Sequence, residues 1–328
     1  MSVLVTGGAG YIGSVTVEAL REAGESVIVL DDLSGGHRAA VAPSVPFYLG
    51  DAGDAALLRS IAADHGVRQV VHFAGFISVP ESVQDPLRYF VNNTAKVTAM
   101  LSALREAGVK NVVFSSTAAV YGEPEQTPIS EEHPKRPSNP YGLSKYFVER
   151  ILDWIDAAYG VTHAALRYFN ASGATAARGE DHHPETHLIP LVLQVPLGRR
   201  ESVSVYGSDY PTPDGTCVRD YIHVADLADA HVRALRYLRD GGPSRKINLG
   251  NGRGFSVREI VSAAERVTGK LIPIREEPRR EGDPSALVAD SRLAGEILGW
   301  RPRCSAIEDI VRSAWDWHRS CPDGYEDR

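Results

Sequence analysis

Cysteine is scarce in this sequence. Only Cys217, Cys304 and Cys321 occur in 328 residues, far apart and without a C-x-x-C pair. That argues against a disulfide-stapled scaffold and a cysteine-built zinc site, and it suits a reducing compartment. Positive charge is not in excess either: 35 Lys and Arg face 42 Asp and Glu, a net charge of −7. An acidic chain with no basic run is a poor non-specific nucleic-acid binder, so any anionic ligand must be met by arginines placed locally. No apolar run approaches the roughly 20 residues of a membrane span, and the first residues lack the basic and apolar regions of a signal peptide. Internal repeats and Pro/Ser linkers are also missing. With 43% apolar and 23% charged residues, disorder is not the default. The expectation is a soluble, cytoplasmic protein with one large domain or two smaller ones.

What is present begins at the N-terminus. Val3-Leu4-Val5 reads as a buried strand. It runs into Thr6-Gly7-Gly8-Ala9-Gly10-Tyr11-Ile12-Gly13, and an amphipathic stretch follows to about Ala23. Strand, glycine turn and helix make half of a dinucleotide site. Glycines at 7, 10 and 13 permit the tight turn and the backbone's approach to a pyrophosphate, and the helix start offers free N–H groups. The second strand, Ser26 to Leu30, ends at Asp31-Asp32. A carboxylate there accepts from an adenosine ribose and repels a 2′-phosphate, which favours NAD over NADP. Position favours Asp31; Asp32 is left open.

The rhythm continues. Helix is expected over 54–63, 86–107 and 141–158, and strand over 69–73, 111–115 and 162–167. Strands alternating with helices predict an α/β fold with a doubly wound, parallel, Rossmann-type sheet. Ligands of such sheets bind beyond the carboxyl ends of the strands, where Asp31, Asp51, Phe73, Ser115 to Thr117 and Tyr168 to Asn170 all fall. Beyond Phe169 the alternation loosens and Arg199-Arg200, Arg219 and Arg279-Arg280 gather. The expected division is a dinucleotide-binding domain over 1–170 and a smaller C-terminal substrate lobe over 171–328 that shares its cleft.

Tyr141 and Lys145 lie four residues apart at the start of a helix, hence on one face. A free phenol has a pKa of about 10, so a neutral-pH base needs stabilisation of its phenolate by about 4 kcal/mol. A fixed ammonium supplies part of this.

Taken together, G-x-x-G-x-x-G at 7–13, Ser115-Ser116-Thr117 and Tyr141-x-x-x-Lys145 resemble the extended short-chain dehydrogenase/reductase superfamily. Further tracts sharpen the resemblance to its UDP-glucose 4-epimerase family: Val71 to Gly75, Ser115 to Gly122, Leu166 to Asn170, Tyr210 to Val224, Arg279 to Pro284, and Ile297 to Trp300. The likeness spans essentially the whole chain. It implies UDP-galactose/UDP-glucose interconversion through a transient 4-ketose with retained NAD. In that reading Tyr141 is the base, Thr117 shares a hydrogen bond with the sugar hydroxyl, and Lys145 holds the nicotinamide ribose and lowers the tyrosine pKa. The implied cofactor residues are Gly7, Gly10, Tyr11, Ile12, Gly13, Asp31, Asp51, Ala52, Phe73, Ala74, Gly75, Asn92, Ser115, Tyr141, Lys145 and Phe169. The implied UDP-sugar residues are Thr117, Asn170, Leu188, Ser204, Val205, Tyr206, Arg219, Arg280, Asp283 and Leu287. A homodimer through the 86–107 and 141–158 helices is implied as well.

Some positions depart from the family. Ile77 stands where many relatives have lysine, and His187 where some have asparagine. Leu287 replaces a tyrosine of the sugar pocket, which leaves room for an N-acetyl group and so for UDP-GlcNAc/UDP-GalNAc. Ala118-Ala119 cannot move a proton, which argues against 4,6-dehydration. A uronate or pentose 4-epimerase stays open as an alternative; a non-enzymatic NAD sensor is disfavoured, because it needs neither Tyr141 nor Lys145. The run Gly179 to His187 fits no tetrahedral zinc spacing and is expected to be a polar loop over the substrate, with no metal. Gly250 to Gly254 is expected to be a structural turn before a helix capped by Ser256. Glu149, Arg150 and Asp153 are expected on the solvated face of their helix.

Overall fold

The computed structural model describes residues 2–280 and 282–326; Glu281, within the Arg279–Pro284 tract, lies outside them. The first half of the chain alternates as β1 (Ser2–Thr6), α1 (Tyr11–Glu22), β2 (Ser26–Asp31), β3 (Phe47–Leu49), α2 (Ala55–His65), β4 (Val67–His72), α3 (Val79–Gln84), α4 (Pro86–Phe90), α5 (Lys96–Glu106), β5 (Asn111–Thr117), α6 (Pro140–Tyr159) and β6 (Thr162–Tyr168). Local chemistry sets the boundaries. Asp54 accepts the Ala56 and Leu57 N–H groups to open α2, and Gly66 at φ +60° closes it. Asn139 accepts the Gly142 N–H, Pro140 occupies the first turn of α6, and Gly160 at φ +65° ends it.

One helix departs from expectation. The stretch from 86 to 107 is broken by a π-helical turn over Val91–Ala95. The wider turn slips the register, and Asn93 becomes the buried side chain while Asn92 is only half-buried.

The second half contains β7 (Asn170–Ser172), α7 (Leu188–Leu193), β8 (Val203–Tyr206), β9 (Val218–His223), α8 (Val224–Arg239), β10 (Arg245–Leu249), β11 (Gly254–Ser256), α9 (Val257–Thr268), β12 (Ile274–Glu277), β13 (Ala286–Leu287), α10 (Arg292–Leu298) and α11 (Ile307–Ser320). The large sheet runs β10-β6-β5-β4-β1-β2-β3, every pair parallel. Apolar side chains cover both faces, as a parallel sheet requires. Leu20, Leu227, Leu235 and Leu298 pack on one side. Leu58, Leu101, Leu104 and Leu152 pack on the other. Helix α8 and strand β10 come from beyond residue 170, so residues 224–249 of the expected lobe lie in the sheet layer.

The lobe has its own core around Ile189, Ile260 and Ile310. Its centre is β9, flanked by β11 and β13 and paired also with β7. Because β7 follows β6 after a single residue, the small sheet starts where the large one ends. The cleft between them therefore lies at the carboxyl ends of the parallel strands. Among the described residues no helix is long and apolar enough to cross a membrane.

Candidate active site

The glycine loop leaves β1 with Gly7 at φ +72°. A Cβ at Gly7 would come within 2.4 Å of the Ala74 nitrogen, and one at Gly13 within 2.1 Å of the Gly7 oxygen. Neither position accepts a side chain. At Gly10 the nearest atom would be 3.5 Å away, an ordinary contact. Gly10 precedes α1 without a side-chain cap. The first N–H groups of that helix stay available to an anion. Asp31 anchors the loop: Oδ2 accepts the Ala9 N–H at 2.8 Å and Oδ1 the Leu33 N–H at 2.9 Å. Burial raises its pKa against those two hydrogen bonds. Asp32 is exposed and bonds Ser34, so of the two carboxylates Asp31 is the one in the loop. These features fit a dinucleotide: a side-chain-free cradle, unspent N–H donors and a carboxylate at the end of β2.

Around this loop stand the other expected cofactor residues. Ala52 and Asp51 follow β3, and the Asp51 carboxylate is held by Lys96 and by the Gly53 N–H at 2.6 Å. Phe73 and Ala74 hydrogen-bond the Thr6 carbonyl, which ties the end of β4 to β1. Tyr11 and Ile12 open α1, and the Tyr11 hydroxyl donates to the Gly173 carbonyl at 2.5 Å. Asn93, which sequence reasoning passed over for Asn92, clamps the Phe76 backbone at both N–H and C=O, each at 2.9 Å. No sequence signal marked the π-turn that turns it inward.

Tyr141 and Lys145 emerge from the buried face of α6, opposite Thr117 at the end of β5. The Lys145 ammonium donates to the Ser115 carbonyl at 3.1 Å. A Cβ on Gly75 would lie 3.3 Å from it. Lys145 is 3% exposed, and burial lowers its pKa to about 8. Beneath it burial, with Lys145's charge adding, lowers His72 to about 3. Thr117 lies near enough to the Tyr141 phenol to lower its pKa, and its Oγ1 accepts the Ala119 N–H at 3.1 Å. Burial raises the pKa of the Tyr141 phenol from its ordinary value, against a lowering by Thr117.

A correction concerns the same helix. Glu149 is fully buried rather than solvated. Residues 141, 145 and 149 form one stripe against β5 and β6. Arg167 grips Glu149 with two bonds, Nε–Oε1 at 2.9 Å and Nη2–Oε2 at 2.6 Å, and Ser116 adds a third at 2.6 Å. Of the three, only Arg150 is exposed; Asp153 is half-buried and pairs with Lys246 of β10.

On the lobe side, sheet register collects distant residues. Leu287 of β13 pairs with Arg219 of β9, and Asn170 of β7 with Tyr221. Arg219 forms an ion pair with Asp283. Arg280 stacks over the Tyr206 ring at 3.9 Å, presenting a cation at the end of β8. Ser204 is half-buried on that strand, whereas the Val205 side chain belongs to the core with Tyr210 and Cys217, leaving only its backbone for a ligand. Leu287 and Phe169 flank the apolar cluster of Ala118, Val120 and Tyr121, just beyond Thr117. Leu188 is the first residue of α7. Ile77 is exposed. The Gly250–Gly254 turn wraps the Asp220 carboxylate, which takes the N–H groups of Asn251, Gly252 and Ala289 at 2.7, 3.0 and 3.1 Å. Ser256 and Glu259 then form a capping box on α9.

The glycine cradle, the carboxylate behind it and the tyrosine–lysine–threonine set above it define a dinucleotide-dependent enzyme of the short-chain dehydrogenase/reductase type. The chain belongs to the NAD dependent epimerase/dehydratase family, whose model matches residues 3–250. Over its whole length and that of the relative it is 53% identical to the UDP-glucose 4-epimerase of Lacticaseibacillus casei. Among solved structures, a crystal structure of UDP-glucose 4-epimerase superposes with a TM-score of 0.97 at 48% identity, covering 99% of this chain and 100% of that one. The Bifidobacterium longum UDP-glucose 4-epimerase in complex with NAD+ and UDP matches with a TM-score of 0.94 at 40% identity, over 99% and 100% of the chains.

Proposed function

We propose that this chain interconverts UDP-galactose and UDP-glucose by removing and returning hydride at C4. Bound at the glycine loop, NAD+ supplies the hydride acceptor and, once reduced, the donor. The carrying observation is that Thr117 lies beside the Tyr141 phenol while the Lys145 ammonium lies against Gly75. Tyr141 removes the C4 hydroxyl proton as the alcohol becomes a ketone, and protonates the oxygen on return. Thr117 shares the hydroxyl's hydrogen bond and so fixes its direction. Lys145 holds the nicotinamide ribose. Burial raises the phenol's pKa, and positive charge on a bound cofactor ring would offset that and favour the phenolate. Arg219 and Arg280 hold the diphosphate with forked N–H donors. The sugar, held less firmly, turns over between the two hydride transfers. Asn170, Leu188, Ser204, Tyr206 and Asp283 complete the UDP-sugar contacts, and Leu287 bounds the sugar beside Phe169. Net redox is zero, so NAD stays bound between turnovers.

The protein works as a cytoplasmic homodimer in this reading. Val83 on α3, Leu87 on α4, Val91 at the π-turn that follows, and Phe147 and Trp154 on α6 are exposed apolar side chains. A matching face on a second copy covers them. The free cysteines suit the cytoplasm.

The deciding experiment gives purified protein UDP-galactose with no added cofactor and follows UDP-glucose. Turnover is expected. Turnover only after NAD+ is added sinks the resident cofactor, and no turnover in either case sinks the glucose/galactose assignment.

A further inference from the structure

We propose that residues 180–187 bind one divalent transition-metal ion of zinc type through Glu180, His182 and His187. The expectation from spacing alone was a polar loop without metal. Folding brings one carboxylate oxygen and two imidazole nitrogens of these residues within 4.8 Å of one another. His182 Nδ1 touches one Glu180 oxygen, and the other oxygen lies 4.0 Å from His187 Nδ1. The two imidazole centroids are 5.6 Å apart. Two imidazoles and a carboxylate are a borderline-soft donor set that suits zinc and leaves its fourth tetrahedral position to water. Calcium and magnesium prefer oxygen-only sets, so they are disfavoured.

The surroundings ask for a cation. The Glu180 and Glu185 side chains are 6% and 9% exposed. Among the described residues no lysine or arginine comes within ion-pair distance of either. Their partners are the imidazoles themselves, His182 on Glu180 and His187 on Glu185, so a bound ion takes the place of the protons that those contacts otherwise need. Glu185 Oε1 lies 2.8 Å from His187 Nδ1, the same nitrogen that faces Glu180, so this carboxylate stands beside the ion's position and adds negative charge there. The same oxygen accepts the Thr186 and His187 N–H groups at 2.7 Å each, which fixes the turn. A cavity of about 280 Å³ beside Glu180, His182 and Glu185 reaches His318 and Cys321 at the end of α11, giving an ion a way in.

The ion's role here is to position. His187 is followed directly by Leu188, the start of α7, while Gly179 is pressed against Trp317 of α11. An ion on 180, 182 and 187 ties the start of α7 to the C-terminal helix and so holds one wall of the substrate cleft.

The test uses the untagged holoenzyme, stripped with chelator and dialysed against zinc. Elemental analysis should return one zinc per chain, and cobalt(II) in its place should give the intense visible absorption of a tetrahedral site. His182→Ala and His187→Ala should each weaken zinc binding at least about tenfold and abolish the cobalt bands. His183→Ala, on an exposed ring of the same loop, should change neither. Retained NAD and circular dichroism report that each variant is folded. Should either alanine variant fail to fold, His182→Gln, which keeps the side chain's bulk without an imidazole, carries the same expectation. Absence of both zinc and cobalt bands in the wild type overturns the site. So does unchanged affinity in the His182→Ala/His187→Ala double variant.

Discussion

Glu149→Gln removes one charge from a pair that water does not reach. Glu149 and Arg167 are 0% and 1% exposed. The glutamine keeps the volume, but its NH2 meets a guanidinium N–H that needs an acceptor. A hydrogen bond to a charged group contributes about 1.5–3 kcal/mol. Leaving the buried guanidinium without a counter-charge brings the total loss to about 3–5 kcal/mol. Tyr121, which accepts from Arg167 Nη1 at 2.8 Å, is neutral and cannot replace the carboxylate. At about 2.1 cal/mol/K of unfolding entropy per residue, a chain of 328 residues changes by about 0.7 kcal/mol per degree, so the midpoint should fall about 4–7 °C. Thermal unfolding followed by circular dichroism, with NAD at saturation in every sample, measures it. Arg150→Gln on the exposed side of the same helix should stay within about 0.5 kcal/mol of wild type. A Glu149→Gln midpoint within about 1 °C of the Arg150→Gln control would falsify the claim that Glu149 is the counter-charge the buried Arg167 depends on.

Other perturbations read other parts of the site. Gly13→Ala should cost about 1–3 kcal/mol and release the cofactor, because its Cβ meets the Gly7 oxygen at 2.1 Å, while Gly10→Ala should keep it; NAD extracted from each purified variant decides. Tyr141→Phe should lower kcat by about 10²–10⁴ with NAD still bound, as removal of a general base does; a loss under tenfold refutes the assignment. His72 should remain neutral to well below pH 6.5 in an NMR titration, since burial lowers it to about 3. Its folded pKa is depressed relative to the unfolded chain, so the stability it contributes is present above about 6.5 and lost as pH falls toward 3, about 1.4 kcal/mol per pH unit; a midpoint near 6.5 contradicts this. Leu287→Tyr should reduce turnover of UDP-GlcNAc far more than that of UDP-glucose, and equal effects on both remove the idea that Leu287 makes room for the acetyl group.

The sequence by itself determined most of the sheet and the outline of the site. Glycines at 7 and 13 stand where the backbone leaves no room for a Cβ, and the caps at Asp54, Asn139 and Ser256 set helix starts from within a few residues. The four-residue step from Tyr141 to Lys145 put both on one face. Periodicity and turn chemistry act over that short range, which is why they are legible. The tertiary structure decided what depends on a distant partner. Glu149 is buried because Arg167 of β6 and Ser116 of β5 close over α6. Asn93 faces inward because a π-turn slips the register of a helix that reads as continuous. Residues 245–249 join the large sheet from the far half of the chain. The phenol of Tyr141 stands above its ordinary pKa because the fold buries it. Glu180, His182 and His187 converge because their loop is pressed between α7 and α11, and no spacing along the chain encodes that pressure.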